Sequence, residues 1–188
     1  MRFALIYCLL CPLILLAQKP CDFSQKVTDS LGTYKATTNE LVYERNFAGT
    51  TTQMYFSVAL SDELPSLNMQ LISRSKDFIK ALCFDKNSRM YLQLDSGKIV
   101  TLIHVDSESC GTTLIGEDQY SHRVLSGYFL FTPGSIEELL KSKISLIRIK
   151  YAAETVDYII KSELVSEKDK ITSYPEKYFL DTLPCLDQ

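Results

Sequence analysis

The chain has 188 residues, with 20 Lys and Arg against 23 Asp and Glu, a net charge of −3 at pH 7, and 46% hydrophobic residues. That length is short enough for one domain and long enough for a proper core. The mildly acidic balance, with no basic block, argues against nucleic acid as a partner, because binding phosphates needs clustered Lys and Arg.

At the N-terminus, Arg2 is the only charge before Lys19, and Phe3 to Ala17 is apolar, broken only by Pro12. This run is shorter than the roughly 20 residues a membrane span needs and has the length of a signal-peptide core. The expected cut follows Ala17, leaving Gln18 first, although Leu15 is larger than the small residue usual at that distance. An uncleaved N-terminal anchor is the alternative. A lipid anchor fits poorly, since Tyr7, Leu10 and Pro20 precede Cys8, Cys11 and Cys21 where a small residue is needed. Loss of residues 1–17 removes Arg2 and no acid, so the charge becomes −4. No later stretch approaches a membrane span. The expected organisation is a signal peptide, 1–17, and a single β-rich domain, 18–188, located in the periplasm or secreted.

Residues 18–50 are polar and rich in Thr and Ser, which suggests loop and edge strand. Met54 to Leu60 alternates, with Met54, Phe56, Val58 and Leu60 on one face, and the segment 62–66 containing Pro65 ends the strand. Arg89 to Val105 predicts a hairpin. An odd loop, Asp95-Ser96-Gly97, sets Leu92 opposite Val100 and Met90 opposite Leu102. A two-residue loop would instead exchange the faces. Such a loop wants a left-handed residue at its third position, which Gly97 supplies.

His104 falls on the Val100–Leu102 alternation and reads as a strand histidine, while His122 lies in a polar run that reads as loop. Arg123 to Phe131 is a further strand. Ser135 with Glu138 three residues on fits a capping box opening a short helix that ends near Lys143. Ile144 to Lys161 predicts a second hairpin. An even loop around Ala153-Glu154 pairs Tyr151 with Val156, Ile149 with Tyr158 and Ile147 with Ile160, and sets Lys150 beside Asp157. Tyr174-Pro175 opens a C-terminal helix through Leu183 that presents Tyr178, Phe179 and Leu183 to the core. The elements add up to an α+β or mainly β fold: an antiparallel sheet or β-sandwich of hairpins with two short helices.

Four cysteines remain after signal cleavage: Cys21, Cys83, Cys110 and Cys185. An even count in an oxidising compartment suggests disulfides, with three connectivities. Cys185 is expected to be bonded, with Cys110 the first choice of partner and Cys21 the second. A Cys83–Cys110 bond is equally compatible with the spacing, as is Cys83 as a core thiol. Without a C-x-x-C pair, and with only two histidines, no metal site is expected, and no cofactor motif is present. Nor is there a nucleophile elbow or a phosphate loop, so no catalytic residue can be named. The carboxylate pairs Asp62-Glu63, Glu117-Asp118 and Glu137-Glu138 are explained by loops and a helix start. Eleven tyrosines and nine phenylalanines accompany no tryptophan. Tyr91, Tyr120 and Tyr128, with Tyr55, are the candidates for a binding surface.

The segments Gly127-Tyr-Phe-Leu-Phe, Ile136-Glu-Glu-Leu-Leu-Lys-Ser, Ser145-Leu-Ile-Arg-Ile-Lys-Tyr-Ala and Val156-Asp-Tyr-Ile-Ile-Lys form a helix-then-hairpin module. It follows a β-turn-β block at Leu92 to Leu102 and precedes the ending Tyr178-Phe-Leu-Asp-Thr-Leu-Pro-Cys-Leu. This arrangement resembles exported Bacteroidetes-type proteins of unknown function, mainly over residues 80–188. The resemblance implies export and carries no functional residue. The expected function is a non-catalytic domain that binds a protein or ligand through a β-sheet face. The alternatives are a small-ligand carrier with a β-walled cavity and an enzyme whose carboxylates only the fold assembles.

Overall fold

A computed structural model of the chain describes residues 21–30, 32–105 and 107–187. The expected signal peptide and its cleavage point lie outside these residues. The first five strands are β1 (Phe23–Asp29), β2 (Gly32–Thr37), β3 (Glu40–Phe47), β4 (Thr50–Ser61) and β5 (Leu64–Ser75). Next come β6 (Arg89–Leu94), β7 (Ile99–His104), β8 (Thr112–Ile115) and β9 (Ser121–Phe131), then helix α1 (Ser135–Leu139). The chain ends with β10 (Ile144–Lys150), β11 (Thr155–Ile159), the short pair β12 (Leu164–Val165) and β13 (Thr172–Ser173), and helix α2 (Tyr178–Thr182). The fold is thus the expected β-rich one with two short helices.

One antiparallel sheet carries β1 to β11 in the order β1-β2-β4-β5-β9-β7-β6-β10-β11, with β3 on β4 and β8 on β9. The long strand β4 shares one edge between β2, at Ala59–Ser61, and β3, at Thr50–Phe56. β9 does the same with β8 and β7. The alternation that writes the strands also writes the core. Met54, Phe56 and Val58 of β4, Leu67 and Met69 of β5, Met90 and Leu92 of β6 and Ile147 of β10 are all essentially without solvent contact. Burying each such side chain stabilises the fold by about 1.5–3 kcal/mol. The sheet curls until its ends approach, so that Tyr43 of β3 meets Tyr158 of β11 edge-on at 5.1 Å between ring centres. The C-terminal segment closes the core, with Tyr178 and Phe179 against Phe56 at 5.6 and 6.1 Å.

The first hairpin has the expected register, Leu92 opposite Val100 and Met90 opposite Leu102, and Gly97 turns at φ +84°. Four expectations need correction. First, the β10–β11 register lies two residues away. Ile149 pairs with Val156 and Ile147 with Tyr158, and Arg148, rather than Lys150, faces Asp157. The turn tip is Ala152-Ala153, closed by the Tyr151 N–H donating to Glu154 O at 2.8 Å. A two-residue slip preserves both faces, so burial alone does not choose between the registers.

Second, Ser135 is the first helical residue and not the cap. Gly134 holds that position in the left-handed region at φ +80°, and Glu138 reaches outward to Lys98 and Lys141. Third, β4 ends at Ser61 as expected, but Pro65 is not part of the break and lies within β5. It pairs with Leu60 in a hairpin turning at Asp62-Glu63, and the ladder from β5 to β9 starts only at Ser66, so the missing N–H is not needed. Fourth, His122 lies in β9 opposite Arg74 and Leu114 rather than in a loop; of the strands before Thr50, β1 and β3 are edge strands as expected, and β2 is paired on both sides.

Cys185 is bonded, but to Cys21, with 5.6 Å between Cα atoms, while Cys83 bonds Cys110. The first-choice Cys110–Cys185 pairing is therefore overturned. Cys110 follows β7 in a loop that folds back on the Cys83 segment, where Phe84 and Ser109 exchange backbone hydrogen bonds at 2.8 and 3.1 Å. Among the described residues no helix is long and apolar enough to cross a membrane.

Candidate binding surface

The alternation that buries Met90, Leu92 and Ile147 turns their neighbours outward. Cross-strand pairing then aligns Ile159, Leu146, Gln93 and Ile99 in one row across β11, β10, β6 and β7. Ile99 and Ile159 are 65% and 72% exposed, a costly way to place large apolar side chains on a sheet. The neighbouring row is Asp157, Arg148, Tyr91 and Thr101. Arg148 donates to both carboxylate oxygens of Asp157 at 2.6 and 2.7 Å, which holds that carboxyl below its usual range. Tyr91, Gln93, Ile99, Leu146 and Arg148 enclose a shallow cavity of about 190 Å³.

This face ends at an open edge. Glu154 accepts from Tyr151, and the Ile160 N–H donates to Ser145 O at 3.0 Å. Antiparallel bonding alternates along a strand, so Val156 and Tyr158 also bond toward β10, while the N–H and C=O groups of Thr155, Asp157 and Ile159 point away from it. Beyond them runs a groove of about 670 Å³, with Tyr43 to Asn46 of β3 as its far wall and Leu164 and Val165 at one end. β3 pairs only with β4. The inward rings of Tyr43 and Tyr158 touch beneath the groove, but no ladder joins the two strands.

A polar network fixes this far wall. The buried Glu44 carboxylate accepts from Gln53 Nε2 at 2.7 Å, Ser166 Oγ at 2.6 Å and the Glu167 N–H at 2.8 Å. The same Gln53 nitrogen donates to Asp169 at 2.9 Å, and Tyr55 OH donates to Asp169 at 3.2 Å. Burial, then the Asp169 charge, push the Tyr55 phenol up to about 12. Two carboxylates from different elements therefore do converge, yet Glu44 is committed to three protein donors, two of which, Ser166 and the Glu167 N–H, strap the β12–β13 hairpin onto β3. That is the work of a clamp.

Other sequence candidates are dispersed. Tyr91 is on the apolar face. Tyr128, 46% exposed, lies on β9, displaced along the strand from the Thr132 that bonds Thr101. Tyr120 sits in the turn before β9, under the Arg74 guanidinium at 3.5 Å and beside a separate cleft of about 490 Å³. No cross-strand row joins the three.

His104 is buried, stacked on Phe84 at 4.9 Å, with Nδ1 3.1 Å from Asp85 O. Asp62 caps the Thr33 N–H at 3.0 Å. Asp118 is held below its usual range by the Arg74 hydrogen bond and the Tyr120 N–H. Among the described residues no group of His, Cys, Asp and Glu is arranged to hold a metal. The groove and its clamp escape a reading of the sequence because they join residues more than a hundred positions apart. Comparison with family models, curated proteins and solved structures returned no match.

Proposed function

We propose that this chain is an exported, non-catalytic domain that binds a protein through the outer face of β7, β6, β10 and β11. The observation that carries the reading is the exposed row Ile159–Leu146–Ile99, with Tyr91 and the Arg148–Asp157 pair beside it. An apolar centre next to paired charges is the composition of a protein interface. The cavity at Tyr91, about 190 Å³, is smaller than the roughly 300–1,000 Å³ of small-molecule sites and suits one inserted side chain. The interior is occupied by side chains such as Phe56, Met69 and Leu92, which favours a binder over a carrier. Export is supported by the N-terminal apolar run and by all four cysteines of the described residues standing in disulfides.

Export is tested by mass spectrometry of periplasm and medium, where the chain should begin at or near Gln18. Finding only the Met1 form in the cytosol would exclude it. Binding is tested by placing a benzophenone amino acid at Ile99 in the producing cell, with Glu63 in the β4–β5 turn as control. A discrete protein adduct at Ile99 alone, lost on adding Leu146→Glu, is expected. Equal labelling at both positions would remove the reading.

A further inference from the structure

We infer that the partner presents an extended segment, with acidic residues in it, that adds as a strand to the open edge of β11. The inference rests on the binding face proposed above and names what meets its border. Thr155, Asp157 and Ile159 turn their backbone groups away from β10 on one side of β11; Asp157 and Ile159 line the groove, and Ile159 is 72% exposed. Unpaired edge groups in a fixed row are matched best by another backbone in extended form, the basis of strand addition.

The walls choose the side chains. Each carboxylate of the groove accepts from donors within the protein: Glu44 from Gln53, Ser166 and the Glu167 N–H, Glu167 from Asn46 Nδ2 at 2.7 Å, and Asp157 from the cation Arg148. Its exposed cations, Arg45 and Lys161, form no ion pair among the described residues. Arg45 instead lies over the Phe47 ring at 4.8 Å, its charge still accessible. The exposed Ile159 and Val165 add apolar surface along the same groove. An incoming strand that alternates acidic and apolar residues satisfies both, and its outward side chains extend the row that begins at Ile159.

The test uses the whole domain and a synthetic peptide of about six residues alternating glutamate and valine. Controls are a lysine–valine peptide and the glutamate–valine peptide N-methylated at alternate residues. Amide exchange followed by NMR should show the Asp157 and Ile159 amides slowed at least tenfold by the first peptide. The lysine peptide should bind at least tenfold more weakly, and the N-methylated one should give no protection. Because the Asp157 N–H is not used by β10, Asp157→Pro should abolish binding with the hydrogen bonds of the β10–β11 ladder intact. Lys161→Glu should weaken it without touching the backbone edge.

Equal binding by the N-methylated peptide, or no protection at saturating peptide, overturns the inference. So does protection that appears with protein concentration alone, which would make the occupant a second copy of this chain. The two readings separate cleanly. Cellular crosslinking at Ile99 that survives Asp157→Pro sinks strand addition and leaves the face. Peptide protection at β11 with no crosslinking at Ile99 does the reverse.

Discussion

The β6–β7 hairpin turns through Asp95-Ser96-Gly97, with the Leu94 N–H donating to Lys98 O and the Gly97 N–H to Leu94 O, both at 2.9 Å. The β10–β11 hairpin turns through Ala152-Ala153, where neither residue has a positive φ. Its register is instead held by contacts outside the turn. The Tyr151 and Tyr158 hydroxyls bond at 2.8 Å inside the core, Arg148 grips Asp157, the Ala152 N–H donates to Cys83 O at 2.8 Å, and Lys80 reaches Glu154 at 2.7 Å. In the first hairpin the turn residue writes the register. In the second, the surrounding fold does. A strand whose own turn is undemanding can be placed by its neighbours, and of the two hairpins this is the one that ends in an open edge.

The difference can be broken most forcefully at the Cys83–Cys110 bond, which spans 27 residues and lies next to the backbone that anchors Ala152. Replacing both cysteines by alanine should cost roughly 3–4 kcal/mol in denaturant unfolding, by the loop-entropy model. Exchange of the Ala152 amide should accelerate, while the Leu94 and Gly97 amides keep their protection. Equal acceleration at both turns would erase the distinction.

A smaller effect comes with alkali. Burial, ahead of its neighbours' charges, raises the Tyr158 phenol to about 12, and Tyr151 moves in the same direction for the same first reason. The unfolded chain releases these protons near pH 10, before the folded one does. Their contribution is therefore complete below pH 10 and is lost as pH rises toward 12, by up to roughly 3 kcal/mol for Tyr158. Stability measured from pH 9 to 12 should fall along that window, and Tyr158→Phe should flatten the slope while costing about 1–3 kcal/mol at neutral pH for the unpaired Tyr151 hydroxyl. A flat profile in the unsubstituted protein would contradict the burial of this pair.

The finest comparison is between the turns themselves. A Cβ on Gly97 would meet nothing within 4 Å, so the cost of Gly97→Ala lies in the backbone alone, about 1 kcal/mol. Ala153→Gly should stay within about 0.5 kcal/mol. Similar losses at the two sites, measured by thermal unfolding, would mean that the glycine is not what sets the first register.

The same contrast explains what the sequence made legible. Period-two alternation separates Met90 and Leu92 from Tyr91, so the buried and outward faces of β6 are readable from residues alone, and Gly97 fixes which partner each one meets. Ile147 and Ile149 announce a buried face equally well. Their pairing nevertheless depends on a tyrosine hydroxyl bond and a distant carbonyl, and a two-residue slip leaves the alternation unchanged. Gly134 takes the cap in place of Ser135 because the chain turns there at φ +80°, in the left-handed region that glycine adopts without strain. The sequence offers Cys21 only as the second choice for Cys185 and the β3–β11 groove not at all, since both follow from the curl of the whole sheet, which no local spacing encodes.

The bond between Cys21 and Cys185 spans 164 residues, almost all of the described chain, and makes it a ring in covalent terms. A ring cut once is still a single piece. A protease that opens the loop around Phe78, 91% exposed, would therefore yield two fragments that migrate together until a reductant is added. The same closure places the two ends of the domain side by side, so the fold has a natural seam where old termini can be joined and new ones opened elsewhere. For a chain exported as proposed above, damage at one exposed loop need not mean loss of the part beyond it.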